Sequence, residues 1–113
     1  MPTLEAWAKN KAIEVFADHV TFDLNQKTTV FEKNVRLSFD QYQAQCAKAI
    51  VYIDQKTQKV SKIVMQGAVT IKKGASVFKS NKMIFDVKQN KLWLKGQVYS
   101  RIQADRSWKL KLN

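Results

Sequence analysis

Apolar and polar residues alternate with a period of two through most of the chain, from Ile13 onward. Ile13, Val15 and Ala17 share one face; Val20, Phe22 and Leu24 follow; Val35, Leu37 and Phe39 alternate after a polar turn at Asn25-Gln26-Lys27-Thr28. Alternation over four to eight residues is the mark of a half-buried strand. Further on, Met83, Phe85 and Val87 alternate, then Lys88-Gln89-Asn90-Lys91 turns, and Leu92 with Leu94 leads to Gly96. Residues 49–53 are apolar at every position, which predicts a strand covered on both faces or lying at a contact between chains. Asp54 to Lys59 is the longest polar stretch and predicts an exposed hairpin loop.

The stretch from Lys59 to Lys73 organises the rest. It reads as strand, glycine, strand: Ile63 and Met65 on one side of Gly67, Val69 and Ile71 on the other. A glycine inside a strand pattern predicts a bulge or bend, because a residue without Cβ accepts that backbone cheaply. The pattern recurs. Met65-x-Gly67-x-Val69 returns as Leu94-x-Gly96-x-Val98 and, with lysine for glycine, as Phe31-x-Lys33-x-Val35. Upstream, Ala17-Asp18-x-Val20-x-Phe22 matches Ala47-Lys48-x-Ile50-x-Tyr52 and Ser80-Asn81-x-Met83-x-Phe85. About three tandem units of roughly 30 residues result, a period that signals stacked supersecondary units.

Short strands separated by frequent turns predict an all-β fold. The repeat favours an open stack of antiparallel hairpins whose first and last strands are unpaired edges, and such edges invite pairing with another chain. The reading divides the chain into a lead-in over residues 1–12 and a single β-domain over 13–113. Thr3 to Ala12 is the one helix candidate, with Thr3 as its cap, and an extended lead-in strand is its equal. Ile102 to Leu112, with Trp108, Leu110 and Leu112 at period two, predicts a final strand.

The charge narrows the partners without choosing one. Lys and Arg number 20 against 9 acidic residues, a formal net charge of +11. That balance suits nucleic acid, an anionic membrane surface or a phosphorylated lipid. No apolar run approaches the ~20 residues that cross a bilayer as a helix, and no basic-then-apolar leader is present. Met1-Pro2 suits an added start.

Little in the chain suggests catalysis. His19 is the only histidine, so a zinc cluster or a Ser-His-Asp arrangement lacks its parts, and it falls at an outward strand position. The three glycines are scattered and form no phosphate-cradling loop. Asp18, Asp23, Asp54 and Asp86 recur at strand ends and turns, where Asp bonds its own backbone. Cys46, the single cysteine, alternates with Tyr42 and Ala44 and reads as a buried small hydrophobe. No enzyme, metal or cofactor is expected. Phe22, Tyr52 and Phe85 share a repeat position with aliphatic residues two places away, which predicts an inward face able to hold an apolar ligand. The alternative is a basic sheet that binds nucleic acid by stacking bases on exposed rings.

The tandem units, Ala-Asp-x-Val-x-Phe, a polar turn, then Phe-x-Gly-Asn-Val-x-Leu in outline, resemble the OstA-like domain of the LptA family of lipopolysaccharide-transport proteins. The resemblance covers about Ile13 to Ile102; Lys33 stands where the pattern has glycine, and Ser100 interrupts the apolar positions of the third copy. It implies an open, twisted antiparallel β-jellyroll and a periplasmic carrier that shields lipid A acyl chains in an apolar groove. It also implies end-to-end strand pairing with other such domains, including copies of itself, and no nucleic-acid partner. On this reading the acyl chains contact Phe22, Leu24, Leu37, Tyr52, Ile63, Met65, Ile71, Met83, Phe85 and Leu94. Lys72, Lys73 and Lys95 at the rim would meet the phosphates.

Overall fold

The computed structural model describes residues 13–103, and these form one antiparallel sheet of eight strands. In chain order they are β1 (Glu14–Phe16), β2 (His19–Asp23), β3 (Thr28–Phe39), β4 (Tyr42–Ile53), β5 (Val60–Lys73), β6 (Ser76–Asp86), β7 (Lys91–Lys95) and β8 (Tyr99–Arg101). β1 and β2 run in succession along β3, and β7 and β8 along β6, so the sheet is a meander of long strands whose outermost ones are interrupted. No helix occurs among the described residues, and among them the β1–β2 edge does not pair with the β7–β8 edge. The all-β fold expected from the alternation and the open antiparallel jellyroll implied by the resemblance are present. The helix candidate Thr3 to Ala12 and most of the strand expected over Ile102 to Leu112 lie outside the described residues.

A single crease crosses the sheet, and it falls at the repeated motif. Gly67 and Ala68 have φ of 83° and 48°, Gly96 and Gln97 82° and 49°, and Lys33 and Asn34 69° and 53°. Each copy therefore places two successive residues in the left-handed region, and the ladder shifts register at Lys33-Asn34, between Glu32 and Val35, and at Gly67-Ala68, between Gln66 and Val69. Bulges of this kind bend a strand and increase its twist. Glycine is required most at position 67, where an added Cβ would stand 2.6 Å from the Cβ of Ala47. Lys33 adopts the same geometry without glycine, at a cost of roughly 1–2 kcal/mol for a left-handed L-residue. The bend predicted at Gly67 and Gly96 is thus a paired left-handed bulge, and it extends to the copy that lacks glycine.

The crease divides the sheet into a half carrying β1 and β8 and a half carrying β2 and β7. On the first half, cross-strand partners Val15, Leu37, Ala44, Ile71 and Phe78 form one inward row. On the second, Phe31, Ala49, Met65, Met83 and Leu94 form another, and Thr29, Val51, Ile63, Phe85 and Leu92 a third. The halves curl until these faces meet: the Phe39 ring, at the far end of β3, stacks on Phe85 of β6 at 5.0 Å between centroids. Ile63, Met65, Ile71 and Met83 are wholly buried in the resulting core. Each contributes about 1.5–3 kcal/mol through removal of its side chain from water.

The outer surface of the second half has its own apolar row, Val30, Ile50, Val64, Ile84 and Trp93. That row is why residues 49–53 read as apolar on both faces. The turns at one end also repeat. Oδ1 of Asp23 accepts the N–H groups of Asn25 and Gln26, Oδ1 of Asp54 those of Lys56 and Thr57, and Oδ1 of Asp86 that of Gln89. Each turn closes on a left-handed residue, Lys27, Gln58 or Asn90.

One register needs correction. Matching Ala47 to Ala17 and Ser80 put Tyr52 on the inward face with Phe22 and Phe85. The ladder instead aligns Val51 with Ile63 and Phe85, and pairs Tyr52 with Thr28 and Lys62 on the outer face. Cys46, not Ala47, is the counterpart of Ser80: the Cys46 thiol donates to the Lys48 carbonyl at 3.3 Å, as the Ser80 hydroxyl donates to that of Lys82 at 2.9 Å. A one-residue slip moves every side chain to the other face. Over residues 49–53 both faces are apolar, so hydropathy alone does not distinguish the two registers. His19 is outward as expected, opposite Glu32 and in the row of Lys48 and Lys82.

Candidate functional site

The inward face is continuous from a closed centre to an uncovered margin. Phe22 of β2 pairs with Thr29 of β3, Thr29 with Val51 of β4, Val51 with Ile63 of β5, and Ile63 with Phe85 of β6. These residues share one face because directly opposed partners point the same way. Ile63 is 0% exposed and Phe22 is 70% exposed. Val20, opposite Phe31, is 45% exposed, and Leu24, in the turn just beyond β2, is 85% exposed. Large apolar groups are exposed at both margins of the open sheet, these at the β2 edge and Trp93, Val98, Tyr99 and Ile102 at the β7–β8 edge, and Val20, Phe22 and Leu24 form a surface suited to an apolar ligand or partner.

The residues expected to touch acyl chains divide by depth. Leu37, Ile63, Met65, Ile71 and Met83 are core; Phe85 and Leu94 are half-buried against it; Phe22 lies on the same face at the margin; Leu24 lies in the turn. Tyr52 alone is on the opposite surface, where the Lys62 ammonium stands 4.6 Å from its ring centroid. The alternation also contained Val20, Phe31, Val51 and Leu92, which complete the face. Val20 and Phe31 were visible in the repeat itself, whereas Val51 was hidden by the slipped register.

The rim lysines are dispersed. Lys73 is exposed beside the β5–β6 turn, its ammonium 5.2 Å from the ring centroid of Tyr42, which itself stacks on Phe39 at the end of the interior. Lys72, opposite Gln43, and Lys95, opposite Lys82, project from the outer face. Among the described residues no group of three or more His, Cys, Asp or Glu is placed to hold a metal. Burial pushes the Cys46 thiol up to about 11, against smaller opposing effects of its backbone hydrogen bonds. It is a packed group with little thiolate at neutral pH. Asp54 is held below the usual carboxylate range, first by its hydrogen bond to Lys88 and then by the N–H groups of Lys56 and Thr57.

Comparison with known proteins gives the family. The model of the LptA and LptD N-terminal-domain family, described as an LPS transport protein, matches residues 14–111. Among curated proteins none matches. The solved structure of LptH from Pseudomonas aeruginosa, described as the LptA-homologous periplasmic component of the lipopolysaccharide transport device, is similar at 12% identity and a TM-score of 0.41, covering 86% of this chain and 99% of that one. The family match spans both halves of the creased sheet and all three copies of the bulge motif, and on that basis the chain belongs to the LptA/LptD N-terminal-domain family of lipopolysaccharide transport proteins.

Proposed function

We propose that this chain is a periplasmic, non-catalytic carrier of lipopolysaccharide whose acyl chains contact the inward face, entering at the β2 margin. The observation that carries the reading is the row from Phe22 through Val51 and Ile63 to Phe85, apolar save for the Thr29 methyl-bearing position and most open to water at its β2 end. Val20, Phe22 and Leu24 are the first contacts, and Leu94 lines the face at its opposite, β7 edge. Leu37, Ile63, Met65, Ile71, Met83 and Phe85 are reached as the two halves part at the crease. The net charge of +11 suits an amphiphile with anionic phosphates. Of the three rim lysines, Lys73 stands beside Tyr42 at the end of the interior, and Lys72 and Lys95 act from outside.

The edges support assembly. β1 and β2 on one side and β7 and β8 on the other offer main-chain groups for strand addition by a like domain, including a second copy. The residues expected at these joints are Ile13 to Ala17 and the segment from Ile102 onward. Nucleic-acid binding through stacked bases is the weaker reading, since Phe31, Phe39 and Phe85 pack in or against the core rather than on an outer platform.

Binding of fluorescent lipopolysaccharide to the purified chain tests the proposal. Val20→Asp and Phe22→Glu should each lower affinity by roughly tenfold or more, as a charge placed in an apolar contact does, with an unchanged melting temperature. Wild-type affinity in both variants would count against entry at this margin.

A further inference from the structure

On the outer face, the crease leaves a hollow of about 770 Å³ at the level of Ala47, Gly67 and Ala68, and Asp18, Lys33 and Asn34 line its β1–β2 side. A second groove of about 310 Å³ runs on past Phe16, Gln43 and Lys72. Arg36 and Gln45 line both, so the two adjoin across the outer surface and together make up a trough with these side chains between them. Small side chains at the crease account for its depth. Its floor includes Val35, Leu37, Ala44 and Cys46, and unlike the inward face it is bordered by amides at Asn34, Gln43 and Gln45, cations at Lys33, Arg36 and Lys72, and one exposed ring, Phe16.

We propose that this trough is a subsite for a phosphorylated or acidic saccharide, and, resting on the function proposed above, that it receives the sugar headgroup of the carried lipid. Amide side chains both donate to and accept from sugar hydroxyls. An exposed aromatic ring offers a flat apolar surface to the C–H face of a pyranose. The guanidinium of Arg36 lies over one face of that ring, 5.5 Å from the Phe16 centroid, which leaves the other face for the sugar, and presents a planar fork of donors suited to phosphate or carboxylate. Asp18 accepts a hydrogen bond from Nδ2 of Asn34 at 2.8 Å, which fixes the amide with its carbonyl turned away from the carboxylate. That carboxylate is offset by the three cations of the trough. Position completes the argument. Phe16 and Asp18 stand on the same sheet edge as Val20 and Phe22, a few residues along the chain but on the other face. An amphiphile lying over this edge has its apolar part against the inside and its polar part against the trough.

The test uses two probes, intact lipopolysaccharide and the same molecule stripped of all acyl chains, titrated into the full chain and into Arg36→Gln and Phe22→Ala variants. The stripped probe should bind, weaken as salt rises, lose about tenfold in affinity with Arg36→Gln, and be indifferent to Phe22→Ala. Melting temperatures measured alongside separate loss of binding from loss of fold; should Arg36→Gln prove unstable, Lys33→Gln replaces it with the same expectation. If intact lipopolysaccharide binds and the stripped probe does not, the subsite is refuted while the carrier reading stands. If only the stripped probe binds, and Arg36→Gln weakens it, the subsite stands and the carrier reading fails. Equal displacement of the stripped probe by a single-stranded oligonucleotide would mean a general polyanion surface and would overturn the saccharide assignment.

Discussion

Ile63 and Phe22 occupy one cross-strand row of the same face, yet the first is wholly buried and the second largely in water. Nothing in residue type accounts for the contrast. It comes from the crease: the half carrying β1 curls over the centre of the opposite half, with Phe39 reaching Phe85, while β2 lies beyond that cover. The same apolar pattern therefore has two consequences. At the centre it contributes folding free energy, and at the margin it contributes little to folding and leaves surface for a ligand. Burial and exposure are separated along one face by curvature.

The largest expected effect breaks that comparison at its stable end. Met65→Ala should cost about 2–5 kcal/mol, the level for truncating a buried side chain in a packed core, read as a fall in the denaturation midpoint. Phe22→Ala should stay within about ±0.5 kcal/mol, as exposed positions do. Comparable losses in the two variants would mean that β2 is covered in the folded chain.

The crease that creates the contrast is next. Gly67→Val introduces both a left-handed β-branched residue and a clash with Ala47, and should destabilise by about 1–3 kcal/mol. Lys33→Gly relieves the same geometry in the first copy, and should be neutral or stabilising by up to about 1 kcal/mol. A stabilising Gly67→Val would remove the crease as the cause of the curvature.

Cys46 sharpens the picture of the centre through pH. Its folded-state value lies above the ordinary 9.0, at about 11. The folded chain thus holds the thiol proton where the unfolded chain releases it. Stability from this group is fully present below pH 9 and falls as pH rises from about 9 towards 11. Cys46→Ala should lack that slope in melting temperature against pH. Equal slopes would indicate a thiol open to solvent.

The smallest effect is at the turns. Asp54 is held below 3.8, so its contribution is present above that pH and is lost as pH falls through its lowered folded-state value. The pair with Lys88 is exposed, and Asp54→Asn should change the acid limb of the melting curve only slightly.

Much of this was legible in the sequence because period-two alternation and the repeated glycine both act locally. Ile63, Met65, Val69 and Ile71 could be placed on either side of Gly67, and Asp23, Asp54 and Asp86 in turns, without tertiary information. Tyr52 could not, because the run around it is apolar on both faces and the register depends on the crease at Cys46 and Ala47. Nor did alternation reveal depth. It put Phe22 and Met83 on one face but not the cover that separates them, which depends on how far the sheet curls. The trough was hidden for a related reason: Phe16, Arg36 and Gln45 are distant in sequence and meet only where neighbouring strands bend together.

The central claim, that an apolar ligand meets the inward face at its β2 margin, is tested most directly by site-resolved photo-crosslinking. A photoreactive side chain at Phe22 should capture lipopolysaccharide, whereas one at Thr21, the adjacent residue on the outer face, or at Lys56 in the exposed turn should not. Capture at Phe22 alone is the expected result. Equal capture at all three positions, or capture at Thr21 with none at Phe22, would contradict it.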